Sequence, residues 1–277
     1  MRRSGIAALV LALALAACGG GSGLESKLKL NEDPSSVLLI VKDEGGFVPI
    51  EFLVGQGPRL VLLRDGTLIT PGPQIEIYPG PLLGSYQQSQ LDEEMMLFVL
   101  EELDALDFAS IENEVNSEAA NSVADASTTV VTFFNQDGTH TFSVYALGIG
   151  AQVSDARVGI LANLVNRLSE VGFSGGATQY EWEAIQVMAG ISQNPPDPEF
   201  STTQPWPLPM SVEEMSDTTG FGWRCASFDG AEAQALLEVF REANQATVWD
   251  DGSAQYQLAV RPVFPGEEPC AAVLAAG

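Results

Sequence analysis

Three stretches of alternating apolar and polar residues, each interrupted by Asp-Gly, organise the chain: residues 59–70 (RLVLLRDGTLIT), 128–147 (TTVVTFFNQDGTHTFSVYAL) and 247–263 (TVWDDGSAQYQLAVRPV). Asp-Gly supplies the positive φ that tight hairpin turns require, and the flanks alternate as a half-buried strand does, with Phe142, Val144 and Ala146 against Ser143 and Tyr145. Each stretch therefore predicts a β-hairpin. A helical period lies between them. Asp92 is placed to cap a helix with acids in its first turn and Met96, Val99, Leu100, Leu103 and Leu106 on one face, ending near Asp107. Ser154 caps a second, with Val158, Leu161, Leu164, Val165 and Leu168 inward. A third starts at Asp229, paired with Glu232 in a capping-box-like spacing, and points Leu236, Leu237 and Phe240 inward.

These elements predict an α+β fold of antiparallel hairpins or sheets, each packed by one or two helices. The order helix, loop, Asp-Gly hairpin occurs at 92–147 and again at 229–263, the pattern of a duplicated unit. A long strand is expected over 179–188, with Tyr180 and Trp182 on one face, and the proline-rich 194–209 must lie at an edge or on the surface. The domain boundary is placed near residue 175, separating an N-terminal α+β domain (37–175) from a C-terminal one (176–277).

Composition adds an address. Residues 1–17 hold two arginines, an apolar run and small residues, the three parts of a secretory signal, and the run is too short to span a bilayer. Residues 18–36, Cys18 followed by a Gly- and Ser-rich stretch, read as a flexible tether. Net charge is −25, which disfavours nucleic acid and anionic lipid headgroups as partners. Of three cysteines, Cys225 and Cys270 remain as an even pair in an oxidising compartment, so a disulfide between them is expected.

Catalytic signals are thin. His140 is the single histidine and sits just past a hairpin turn, and neither a Gly-x-Ser-x-Gly nor a His-Glu-x-x-His pattern occurs. Asp250-Asp251 and Glu101-Glu102 are paired carboxylates of the type used in glycoside hydrolysis, but turn geometry accounts for the first pair and a solvated helix face for the second. The loops around Asn135 and Asp250 lack the alternating acids of a calcium site, so no catalytic residue, metal ligand or cofactor is assigned. Trp182, Trp206, Trp223 and Trp249 all fall in the C-terminal half, where large rings would line a ligand cleft or a partner surface if they do not fill the core.

Leu15-Ala16-Ala17-Cys18 resembles the lipobox of bacterial lipoprotein precursors. The resemblance implies that Cys18 receives a thioether-linked diacylglycerol and becomes the mature N-terminus, anchored to the cell membrane on its extracytoplasmic face. The whole mature chain is similar to uncharacterised secreted lipoproteins of high-GC bacteria, on its Gly45-Gly46-Phe47 start, the Asp-Gly hairpin and the closing VRPVFPGEEPC at 260–270. Residues 43–170 also resemble emfourin-type inhibitors of thermolysin-like metalloproteases, through Gly45-Gly46-Phe47, the Asp92 helix, the 128–148 hairpin and a final leucine-rich helix. Residues 71–91 are longer than that pattern and the C-terminal half has no counterpart in it, so no inhibitory residue is carried over. The expectation is a non-catalytic binding protein, with a small ligand or protein as partner. Protease inhibition and an acid-dependent hydrolase are the alternatives.

Overall fold

The structure is a computed structural model that describes residues 21–48, 50–74, 77–108, 123–149, 156–173, 176–192, 199–217 and 222–271. Cys18, the expected signal segment and Ser154 lie outside the described residues. All three Asp-Gly stretches form antiparallel hairpins. β2 (Leu60–Leu63) pairs with β3 (Thr67–Pro71), β5 (Thr128–Asn135) with β6 (Gly138–Tyr145), and β12 (Val248–Asp250) with β13 (Gln255–Pro262). The turn glycines Gly66, Gly138 and Gly252 have φ of 86°, 128° and 88°, a region that side-chain-bearing residues enter only with strain.

Two sheets result among the described residues, so the fold is α+β with open antiparallel sheets. The first runs β6-β5-β1-β2-β3-β4-β7, with β1 at Val37–Glu44, β4 at Tyr86–Gln90 and β7 at Thr178–Gln179. The second runs β10-β11-β8-β13-β12-β9, with β8 at Ala184–Ile191, β9 at Thr203–Pro205, β10 at Ser216–Asp217 and β11 at Arg224–Asp229. Among the described strands β9 alone pairs in parallel with a neighbouring strand, Leu83 adding one isolated parallel bridge to Val260 of β13, and β9 ends on Pro205 at the sheet edge, as the proline-rich segment requires.

One face of the first sheet is covered by helices. In α3 (Glu93–Leu106), Asp92 caps the start by accepting the Met95 N–H at 2.8 Å, and Asp107 ends it in the left-handed region. Val99, Leu100, Leu103 and Leu106 of α3 join Val158, Leu161, Leu164, Val165 and Leu168 of α4 (Ala156–Phe173), numbering the described α-helices in chain order, in one cluster with Val131, Phe133, Phe142 and Val144. A second cluster joins the opposite face of that sheet, through Val37, Ile40, Val61 and Ile69, to Ile185, Val187, Leu258 and Val260 of the second sheet. Leu236, Leu237 and Phe240 of α5 (Gly230–Arg241) belong to it too, so the N- and C-terminal halves share a core.

Four expectations are corrected. Residues 21–36 are not a free tether: α1 (Gly21–Lys27) is helical, Leu24 and Leu28 pack against the first cluster, and Leu30 is buried. Leu24 and Leu28 are one helical turn apart and so share a face, which the surrounding glycines obscured. Lys27 pairs with Asp104 at 2.6 Å, and Glu25 with Arg64 at 3.2 Å. The strand expected over 179–188 is broken at 180–183, where the chain leaves the first sheet for the second; the Tyr180 N–H donates to the Tyr86 carbonyl, and Trp182 turns onto Tyr86. The Asp229–Glu232 capping box does not form, because Asp229 still belongs to the β11 ladder opposite Ala184 and its side chain makes no cap bond. The two helix-then-hairpin stretches share element order only. The first hairpin joins its sheet through its leading strand β5, the second through its trailing strand β13.

Candidate functional site

In the cluster shared with the second sheet, β1, β2, β3 and β4 contribute buried residues, whereas among the described residues of the β5–β6 hairpin the partly buried Phe134 alone packs against it. Beside that hairpin lies a cleft of about 390 Å³, within the range of small-ligand sites. Ile40, Lys42 and Glu44 of β1 form its floor. Thr132, Phe134, Thr139 and Thr141 on the β5–β6 hairpin make one wall. The other wall is α2 (Ile50–Gly55) with Leu53 and Val54, closed by a C-terminal segment that brings Gly266, Glu267 and Glu268. Alternation explains the hairpin wall: Val131, Phe133 and Phe142 point to the helices, so Thr132, Phe134 and Thr141 face the other way.

Glu267 is the electrostatic centre of the cleft. Its side chain is 4% exposed, and it takes Lys42 Nζ at 2.7 Å on one oxygen and Arg261 Nη1 at 2.7 Å on the other. The Phe264 N–H donates to it as well, at 3.1 Å. Burial pushes its pKa up, but the two cations together outweigh that and hold it below the ordinary 4.5. Arg261 also donates to the Pro262 carbonyl. The ion triad ties β1 of the N-terminal half to β13 and the C-terminal segment.

That segment is fastened at its far end. Cys225 on β11 and Cys270 form a disulfide, as expected, with Cα atoms 5.6 Å apart. The Cys270 N–H donates to the buried Gln186, the cross-strand partner of Arg261. Between these anchors Gly266, at φ 78°, lies so close to Val37 that a Cβ would come within 2.8 Å of its side chain. Phe47, two residues beyond the lining Gly45, and Phe52, next to the lining Leu53, are 88% and 58% exposed and belong to a wider set of exposed large apolar side chains.

Three of the four tryptophans are buried and the fourth, Trp206, is partly buried. Trp249 is 2% exposed and meets Phe240 edge-on at 5.9 Å. Trp182 is 9% exposed against Tyr86, and the partly buried Trp206 packs on Tyr256 at 5.2 Å and donates to the Met210 carbonyl. Trp223, 6% exposed, lies over Gly190 beside the disulfide. Their large apolar area fills the core and the junctions of the second sheet, the outcome hydrophobicity favours where a sheet needs bulk.

The remaining candidates are accounted for by local structure. His140 stacks on its cross-strand neighbour Phe133, with Nε2 3.2 Å from the Asn135 side-chain oxygen. Asp250 accepts the Gly252 N–H, and Asp251 accepts the Ala254 and Ser253 N–H groups and the Ser253 hydroxyl. Those bonds hold Asp251 at a pKa of about 2, with the backbone N–H of Ala254 contributing most. Glu101 is exposed on α3, and neither it nor Glu102 lines the cleft. Among the described residues, no group of three or more His, Cys, Asp or Glu side chains is placed to hold a metal ion, and no helix is long and apolar enough to cross a membrane. Lys42, Arg261 and Glu267 escaped the sequence reading. The closing VRPVFPGEEPC pattern contains Arg261 and Glu267, but nothing in it names Lys42 as their partner.

No protein-family model, no curated protein and no solved structure matches the chain.

Proposed function

We propose that the chain is a non-catalytic binding protein, held by lipid at Cys18 on the extracytoplasmic face of the cell membrane, which receives its ligand in the cleft beside the β5–β6 hairpin. The observation that carries this reading is a concave, polar cleft closed by a segment that a disulfide and an ion triad about the buried Glu267 fasten in place. A site tied down at both ends is preorganised, which lowers the ordering cost of binding. The disulfide suits an oxidising compartment, in keeping with the lipobox. Bound at Cys18, two acyl chains give stable anchoring where one is marginal.

Two experiments test it. Cys18→Ser should move the protein from the membrane fraction to the soluble one and abolish palmitate incorporation in the native host; unchanged retention would end the anchor reading. Thr132→Trp should fill the cleft without touching the core. A small-molecule and peptide screen by NMR on the unmodified protein should then give hits whose shifts map to Lys42, Thr132 and Thr141 and vanish in Thr132→Trp. Hits mapping elsewhere would end the cleft reading. A second reading, inhibition of thermolysin-like metalloproteases, draws on the hairpin and two helices of residues 43–170 forming one sheet-and-helix layer. Absence of inhibition across a panel of such proteases would remove it.

A further inference from the structure

The four sheet edges are unequal. β7 and β10 are two residues long and β9 is three residues ending in proline, so three edges are blunted by the devices that ordinarily prevent edge-to-edge pairing. The fourth edge is β6, eight residues over Gly138–Tyr145, pairing with β5 at every position from Gly138 to Tyr145 without a bulge. It carries no lysine, arginine or proline, and among the described residues no strand pairs with its other side. Eight residues of strand present roughly 26 Å of ladder. The two-residue turn at Gln136 and Asp137 makes Asn135 and Gly138 the hydrogen-bonded pair, and alternation from there turns the N–H groups of Thr139, Thr141 and Ser143 outward.

We propose that this edge is a strand-addition site for an extended, positively charged segment of a partner protein. The proposal rests on the binding reading above and names the partner of the same region, since Thr139 and Thr141 also line the cleft. Backbone pairing supplies a generic attraction, and side chains of the added strand give selectivity. Charge decides which strand is accepted. The protein carries −25 overall, and in the adjoining cleft Glu267 occupies both Lys42 and Arg261, leaving Asp43, Glu44 and Glu268 to set the local field. Two copies of this chain meeting edge to edge would bring two such charges together, so the fitting occupant is a basic strand rather than a second copy.

The test uses the full chain and two synthetic peptides as long as β6, one alternating lysine with valine and the other glutamate with valine. Amide exchange and fluorescence anisotropy are read on the unmodified protein and on Ser143→Pro, which removes one outward N–H while leaving the β5 ladder intact. The lysine peptide should bind about tenfold more tightly than the glutamate peptide, protect the amides of Thr139, Thr141 and Ser143, and bind about tenfold more weakly to Ser143→Pro. Equal binding to Ser143→Pro, with shifts confined to Lys42 and Thr132, would overturn the edge site while leaving the cleft reading intact. Protection of β6 by self-association, or no binding of either peptide, would also overturn it. Thermal unfolding of Ser143→Pro confirms that the comparison is made on folded protein, and exchange protection of unmodified protein by the lysine peptide reads the same site without any substitution.

Discussion

The β5–β6 and β12–β13 hairpins are built from the same local instructions and end in opposite circumstances. Both turn on Asp-Gly, with a carboxamide or carboxylate at the start of the turn accepting a backbone N–H: Asn135 from Asp137 and Asp250 from Gly252. Yet β13 lies between β8 and β12, with β9 covering the outer side of β12, whereas β6 is the last described strand of its sheet and shapes the wall of the cleft. A turn signal specifies that two strands pair. Which of them faces inward, and whether the outer one is covered, is set by neighbours far away in sequence.

The largest effects should show how alike the two hairpins are on their inner faces. Phe142→Ala beneath the first and Trp249→Ala in the second each remove a fully buried ring and should cost about 3–5 kcal/mol in urea unfolding. A much smaller loss at Phe142 would mean that the first hairpin is held by its edge contacts rather than by its core. The second hairpin's side alone is stapled. Replacing Cys225 and Cys270 together by serine opens a loop of 45 residues and should cost about 4 kcal/mol by the chain-entropy model, seen as a lower urea midpoint that reductant no longer changes.

Glu267 joins the two regions. Glu267→Gln strands two cations and should cost about 2 kcal/mol, less than the roughly 3–5 of a wholly buried pair because Lys42 keeps 37% of its side chain exposed. The pH dependence follows from the depressed pKa: the carboxylate's contribution is complete above the ordinary 4.5 and is lost as pH falls through the lower folded value. Urea midpoints of the unmodified protein and Glu267→Gln should therefore converge in acid; a constant gap down to low pH would show that the triad is not the source. The smallest effect is local. Asp251 should titrate near 2 rather than 3.8 by carboxyl NMR, and Ser253→Ala should raise it toward the ordinary value without changing the first hairpin.

Much of the fold could be read from residue order. The hairpin turns, the Asp92 cap with its Asp107 stop, and the inward faces of α3, α4 and α5 depend on residues three or four apart or on a single φ, so local pattern reveals them. The site was harder to read. The tryptophans stand out by chemistry alone, and the fold packs their rings into the second sheet and its junctions. The folded stretch after residue 21 was hidden because two leucines among glycines make a weak stripe until α3 lies beside them.

By itself, then, the sequence determined the hairpins, the helix faces and the Cys225–Cys270 pair, each a consequence of backbone geometry, periodicity or the number of thiols. Only the tertiary structure decided that β6 is the long edge to which no described strand is added and that Lys42, Arg261 and Glu267 meet in a cleft. The physical reason is range. A turn or a cap is satisfied within a few residues, but a buried carboxylate takes whichever cations the packing of two sheets brings to it, and no local pattern records that choice.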